Sequence, residues 1–402
     1  MNPGKHIFEF CDSDVIFDPA VVEPPPFVEK SFPVTSLALD VSGSCNMQCI
    51  YCAESSTMPQ RPPMSRKILE KAVDSLLEWS SHNRLSLHVG SGEPLLQPGA
   101  VQKIGQKARQ LEKEWEAEVT LHLTTNGTLL TKNICDWLVK DRWRVKVSLD
   151  GSARIHDQNR KDRQGRGTYK RIEKYVQKLS EIPTFSTTSV LCHKTDPREV
   201  FYGITALGVK NIEIVPVAVE YPSPLGLTGE DIKRYSEFVS EYVQKIAQGE
   251  SLPYLIRFMN RLHRVLGFGN NRVPCGAGRT FIAAAPDGVL YPCFRFIGIE
   301  EYQLGHITTG INREKALNFA LEGGRPYDKR EKCRKCWAAP LCGGPCFVCA
   351  ELLFHKKNGE PSPDYCDMVT ADCEAAAWLA QTLREEAPEK LVDLLGVHLE
   401  DF

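Results

Sequence analysis

No apolar run in the 402-residue chain reaches the ~18 residues that a membrane-crossing helix needs. The first ten residues place Lys5, His6 and Glu9 where a secretory signal would keep its apolar core. A cytoplasmic protein is therefore expected, with no membrane partner. Charge of one sign is also missing: 49 Lys and Arg against 51 Asp and Glu leave no broad electrostatic reason to bind nucleic acid or an anionic surface. A small or peptide partner fits better. Internal repeats and low-complexity tails are absent as well, and the length exceeds what one core of roughly 250–300 residues supports, so two domains are expected.

Cysteine, by contrast, is in excess. Fifteen Cys is an odd number gathered in short-spaced groups, which in a reducing compartment means metal ligation far more often than disulfides, and predicts oxygen sensitivity. The densest group is Cys45-Asn46-Met47-Gln48-Cys49-Ile50-Tyr51-Cys52, directly after an apolar run. Its spans are too short for a disulfide framework. A tetrahedral zinc site would need a fourth ligand, yet Ala53, Glu54, Ser55 and Ser56 follow and no His lies closer than His82. Three thiolates on a four-iron cluster would leave one iron free for a small molecule. A structural zinc knuckle is the alternative.

Residues 1–35, with a short β-like pair (His6 to Phe10, Asp14 to Phe17) followed by Pro19, Pro24, Pro25, Pro26 and Pro33, read as an extended lead-in. Residues 36–228 alternate β-like runs (Ser36 to Val41, Leu85 to Val89, Val119 to Thr124, Val145 to Leu149, Thr187 to Leu191, Ile212 to Val217) with helical patterns (Arg66 to Trp79, Val101 to Trp115, Lys132 to Lys140, Tyr169 to Leu179, Arg198 to Leu207). This α/β pattern predicts parallel strands with helices outside, as an open barrel or a doubly wound sheet. Residues 229–273 form a helical linker (Gly229 to Gln248, Tyr254 to Leu266). Residues 274–402 turn to Cys, Gly and Pro, with helical periodicity only from Val369 to Leu383.

The polar ends of the strands carry the candidate chemistry. Cys45 follows the first strand at its C-terminal end, where such sheets place active sites. Gly90-Ser91-Gly92-Glu93-Pro94 follows the second, Thr125-Asn126-Gly127 the third, and Ser148-Leu149-Asp150-Gly151 the fourth, with His156, Asp157 and Arg160 beyond. Each alone reads as an ordinary turn. Arg160 reads equally as a surface salt-bridge residue.

The CxxxCxxC spacing with Tyr51 before the last Cys resembles the radical SAM superfamily, and the Gly90–Pro94 turn resembles its GGEP motif with Ser91 in place of the first Gly of the pair. The resemblance implies a partial (β/α)6 barrel and binding of S-adenosyl-L-methionine (SAM). Glu93 and the Gly92 backbone would hold its amino end. Gly90, Ser91, Asn126 and Tyr51 would lie around it, and Ser148 and Arg160 are candidates for its carboxylate and ribose, a guanidinium being apt for a carboxylate.

Downstream, Cys275, Gly288, Cys293, Cys333, Cys336, Cys342, Cys346 and Cys366 match the pattern of the SPASM extension of radical SAM enzymes; two zinc ribbons are the alternative. The resemblance implies two auxiliary iron–sulfur clusters, hence three 4Fe-4S clusters in all. Cys333, Cys336, Cys342 and Cys366 would hold the second auxiliary cluster, and Cys275, Cys293 and Cys346 the first. The usual fourth ligand is absent from Gly278 to Ile282; either Cys349 or Cys373 closes the site, or an iron stays open for a substrate thiolate.

In anaerobic sulfatase-maturating enzymes an Asp in the position of Phe294 removes the substrate proton, so Phe294 argues against formylglycine formation. The Cys275–Arg279 and Tyr291–Gly298 runs resemble maturases of ribosomally made peptides, particularly those building Cys thioethers. The resemblance thus implies hydrogen abstraction by a 5′-deoxyadenosyl radical, a peptide or small-protein substrate and an external one-electron reductant. No leader-binding module can be read before Cys45, so leader recognition comes from a separate protein or is absent. Other carbon–carbon or carbon–oxygen crosslinks, epimerisation, sulfatase-type or cofactor maturation, and a non-enzymatic iron–sulfur carrier are the alternatives. Cys11 and Cys135 read as ordinary thiols. Cys192, beside His193 at the end of the fifth strand, is a candidate catalytic residue, with a buried spectator as the bland reading.

Overall fold

The computed structural model describes residues 34–52, 60–80, 84–219, 222–268, 272–321, 326–350 and 363–395. The Pro-rich lead-in with its β-like pair, and Cys11, lie outside the described residues. The chain then runs β1 (Ser36–Leu39), α1 (Arg66–Trp79), β2 (Arg84–Val89), α2 (Pro98–Trp115), β3 (Glu118–Thr125), α3 (Lys132–Lys140), β4 (Trp143–Ser148), α4 (Ala153–Asn159), α5 (Tyr169–Leu179), β5 (Ser186–Leu191), α6 (Pro197–Thr205) and β6 (Asn211–Pro216). Small polar residues start the helices: Ser65 accepts from the N–H of Ile68 at the head of α1, and Asp196 from that of Arg198 at the head of α6. Helix α4 lies where the sequence reads as a polar turn; Ser152 caps it and accepts from the N–H of Ile155.

Strands β1 to β6 lie side by side in chain order, every pair parallel. A doubly wound sheet would reverse that order at a switch point. Without reversal, right-handed crossovers put every helix on the same side, and the sheet curls into an open barrel. Leu85, Leu87 and Val89, Val119, Leu121 and Leu123, and Val145 and Val147 are buried beneath the helices. The alternate residues, among them His88, His122, Lys146, Ser148, Thr188 and Glu213, face the concave side, where Lys146 and Glu213 pair at 2.8 Å across β5.

Beyond β6, α7 (Gly229–Ala247) and α8 (Ile256–Val265) flank a two-residue strand, β7 (Tyr254–Leu255), which pairs with β6. The helical pattern from Tyr254 thus begins as strand, because the N–H of Tyr254 is taken by the carbonyl of Lys210 at 2.7 Å. The cysteine-rich region re-enters the same sheet: β8 (Phe281–Ala284) lies parallel to β1, and β9 (Val289–Tyr291), β10 (Gly305–His306) and β11 (Gly310–Ile311) continue antiparallel. Small residues at the seam, Ala38 and Ala283, let Tyr291, Phe296, Phe319 and Phe347 pack as a second core on the concave side. α9 (Arg313–Leu321), α10 (Glu331–Arg334), α11 (Ala339–Cys342), α12 (Pro363–Glu386) and α13 (Pro388–Leu395) complete the described chain, with α12 packed on α7 and α8.

Candidate active site

The Cys45–Cys52 loop leaves β1 at the barrel rim and is held there by the end of α4 and the segment after it. The N–H of Gln48 donates to Lys161 O at 2.8 Å and that of Ile50 to Asn159 O at 3.0 Å, while Arg163 donates twice to Cys45 O, at 3.0 and 2.6 Å. Donors also face the sulfurs. Cys45 Sγ accepts from the N–H of Met47 at 3.4 Å and from Asn126 Nδ2 at 3.8 Å, and Arg160 hydrogen-bonds Cys49. Burial pushes the Cys45 thiol up to about 12 and raises that of Cys49 against the pull of Arg160. Binding to iron removes that obstacle, since a coordinating thiol is deprotonated outright. Three thiols with sulfur-directed donors fit an iron–sulfur cluster. Among the described residues no three His, Cys, Asp or Glu side chains converge as one ion's ligands.

The turn after β2 leans on this loop. Ser91 and Gly92 both take positive φ, 68° and 52°, and Glu93 N donates to Ser44 O at 2.9 Å. A Cβ at Gly92 would lie 2.2 Å from Ser44 O, so glycine is required there. The Glu93 carboxylate is fully buried and turned toward the chain: Oε1 accepts from Leu95 N at 2.9 Å and Thr125 Oγ1 at 2.7 Å, and Oε2 from Asn126 N at 2.7 Å. Burial raises its pKa while these bonds oppose the shift. Asn126 in turn joins Asn46 Oδ1, at 2.8 Å, and Thr128.

Asp150, which in sequence is only a turn residue, is the hub of the next strand end. It pairs with Arg160 at 3.1 Å, accepts from the N–H of Val190 at 3.1 Å and from Asn159 Nδ2 at 3.5 Å, and takes the hydroxyl of Tyr51. The surface reading of Arg160 is therefore overturned: the side chain is buried against Asp150, with its Cζ 5.4 Å from the Tyr51 ring centre. Burial opposes its charge, but Asp150, Tyr51 and Cys49 hold it protonated. Ser148 stands half-buried beside Thr188. Cys192 is buried near Asp150 and Arg160, its thiol pushed up to about 12 by burial first and Asp150 second. His193 turns away and bonds Asp231, 2.7 Å distant, at the head of α7. Cys135 is fully buried on α3.

Deeper on the concave face the rings of His88 and His122 stack at 4.3 Å. Burial and neighbouring cations lower them to about 3 and about 4, so both are neutral near pH 7.

The remaining thiols form two groups. Cys333, Cys336, Cys342 and Cys366 line one cavity of about 80 Å³. Cys275 and Cys293 both lie within electrostatic reach of Cys346, which is hydrogen-bonded to Cys349. Cys373 sides with the other group, facing Cys336, Cys342 and Arg261. A cavity of about 630 Å³ opens between Val215–Val219, at and just past the end of β6, and a wall that includes Arg257, Arg295, Cys349 and Tyr365. Phe294 covers Gly90, its Cε2 3.2 Å from where a Cβ there would stand. Neither that contact nor the role of Asp150 carries a local sequence signal.

Residues 39–202 match the model of the Radical SAM superfamily. A serine-type anaerobic sulfatase-maturating enzyme of Bacteroides thetaiotaomicron is 29% identical over 156 residues, 37% of each chain. A cysteine-type anaerobic sulfatase-maturating enzyme of Clostridium perfringens is 24% identical over 345 residues, 79% of this chain and 90% of its own. Among solved structures, anSMEcpe with bound AdoMet superposes with a TM-score of 0.74 at 21% identity, covering 90% of this chain and 98% of that one. The same protein is also solved with AdoMet and a Kp18Cys peptide, at a TM-score of 0.71 and 20% identity, covering 90% of this chain and 99% of that one. Streptococcus suis SuiB bound to precursor peptide SuiA gives 0.57 at 16% identity, covering 83% of this chain and 76% of that one. These structural likenesses are likenesses of fold. With its cluster-fitting thiols at the rim of an open parallel barrel and the matched family model over residues 39–202, the chain carries a radical SAM domain.

Proposed function

We propose that this enzyme takes a hydrogen atom from a residue of a ribosomally made peptide or protein and forms a crosslink there, a Cys thioether being the product. The cavity of about 630 Å³ carries the reading, because it joins the barrel rim to the second thiol group and is roomy enough for several residues of extended chain. The peptide-bound relatives of the same fold support a peptide as substrate.

Cys45, Cys49 and Cys52 would hold the SAM-binding cluster, with Gly90–Gly92, Asn126 and Ser148 lining the cofactor. Cys333, Cys336, Cys342 and Cys366 would hold one auxiliary cluster, and Cys275, Cys293 and Cys346 another, three 4Fe-4S clusters in total. When bound, these groups supply reductive cleavage of SAM to methionine and a 5′-deoxyadenosyl radical that abstracts the hydrogen. An external reductant supplies the first electron. Overall, carbon and sulfur each lose a hydrogen, and SAM is the oxidant. The chain's own part is to hold peptide and cofactor together and keep water out.

A second reading, oxidation of a Cys or Ser to formylglycine, is favoured by the curated relatives. Phe294 weighs against it: it offers no base, and its ring covers Gly90. The two readings separate on Cys-containing peptides incubated with enzyme, SAM and a strong reductant. A thioether product has lost two hydrogens, no longer reacts with a thiol alkylating reagent after reduction, and carries no aldehyde. A product that reacts with a hydrazide would establish the sulfatase-type reaction instead.

A further inference from the structure

We propose that Cys349 is the fourth ligand of the cluster held by Cys275, Cys293 and Cys346, so that every iron there is bound by a thiolate of this chain. The proposal rests on the reading of those three thiols as ligands. Three observations carry it.

The first is position. Cys349 follows Cys346 by three residues in a helical turn closed by the bond from Ala350 N to Cys346 O, 3.0 Å, and residues so spaced share a face. The Cys349 thiol accordingly hydrogen-bonds Cys346, whose sulfur also takes backbone N–H groups from Val348 and Cys349. The second is the surroundings. Cys349 is only 8% exposed, borders the large cavity together with Cys346, and has Arg295 Nη1 3.9 Å from its sulfur, a cation suited to a thiolate-bound cluster. The third is elimination among the unassigned thiols. Cys373 is fully buried on α12 and faces Cys336 and Cys342, the opposite group. The Gly278–Ile282 segment offers no sulfur: Gly278 is pressed against Phe319, and Phe281 meets His88 edge to face.

A closed cluster has a consequence for chemistry. A substrate thiol entering the cavity would meet Arg295 and a fully ligated cluster rather than an open iron. Its sulfur would be positioned by the walls of the cavity, not by coordination.

The test uses the full chain with Cys45, Cys49 and Cys52 all replaced by Ala, so that only the two auxiliary clusters contribute, about eight irons. Adding Cys349→Ala should remove about one iron and bring in the EPR signal of an oxidised three-iron cluster, whereas adding Cys373→Ala should change neither. In the protein with all its ligands present, free cysteine should leave the EPR spectrum of the reduced auxiliary clusters unshifted. Full iron with an unchanged spectrum in the Cys349→Ala protein, or a spectral shift on adding cysteine to the unmodified ligand set, would overturn the proposal. A background protein with about four irons, all lost on Cys333→Ala, would instead overturn the underlying assignment of Cys275, Cys293 and Cys346, and Cys349 with it.

Discussion

Replacing any one of Cys45, Cys49 or Cys52 with Ala is expected to abolish formation of 5′-deoxyadenosine and to lower bound iron by about four of about twelve atoms, leaving the C-terminal iron in place. The expectation follows from how the loop is built. The end of α4 and the segment after it clamp the loop at Gln48, Ile50 and the Cys45 carbonyl, so removing one sulfur leaves the backbone where it is. The other two thiols then remain half-buried with too few donors to keep a cluster. Chromatography of the nucleoside and iron analysis on the same samples check both halves. Retained cleavage of SAM in any of the three proteins would remove that residue from the site.

The second large effect is on stability. Asp150→Ala should cost about 3–5 kcal/mol, because it strands the Arg160 guanidinium in a buried site and takes away the acceptor of the Tyr51 hydroxyl. It also unties three elements at once: the cysteine loop through Tyr51, the end of α4 through Asn159, and β5 through Val190. Urea unfolding of the cluster-free protein measures the loss. The double replacement Asp150→Ala with Arg160→Met should recover part of it, since no unpaired charge then stays buried. A cost below about 1 kcal/mol, the range of an exposed pair, would mean that Asp150 is not the hub that its contacts describe.

The alternating strands and helices were largely legible in the sequence, because strand residues alternate with period two: Leu85, Leu87 and Val89 point to the helices, and Ser86 and His88 to the concave side; the choice of an open barrel over a doubly wound sheet was not, since it lies in the strand order. The cysteine spacings were legible for a related reason, since a ligand group read within a few residues needs no tertiary information. What could not be read depends on contacts between distant segments. Strand β8 is four residues long with no periodicity of its own, and its partner β1 lies some 240 positions earlier. Asp150 reads as a turn residue because Asp favours turns whatever its side chain does later. Arg160 reads as exposed because most Arg are, and only the fold encloses it between Asp150 and Tyr51. Phe294 resembles any aromatic after a cysteine until Gly90 is found beneath it. The choice between Cys349 and Cys373 has the same character: both stand in short-spaced Cys groups, and only helix geometry and burial set one beside Cys346 and the other beside Cys342.

The central claim, that the rim thiols hold a cluster that activates SAM, is tested most directly on the unmodified protein purified without oxygen. With SAM and a strong one-electron reductant it should carry about twelve irons and produce methionine and 5′-deoxyadenosine in equal amounts. A colourless protein that holds zinc and leaves SAM intact would contradict it.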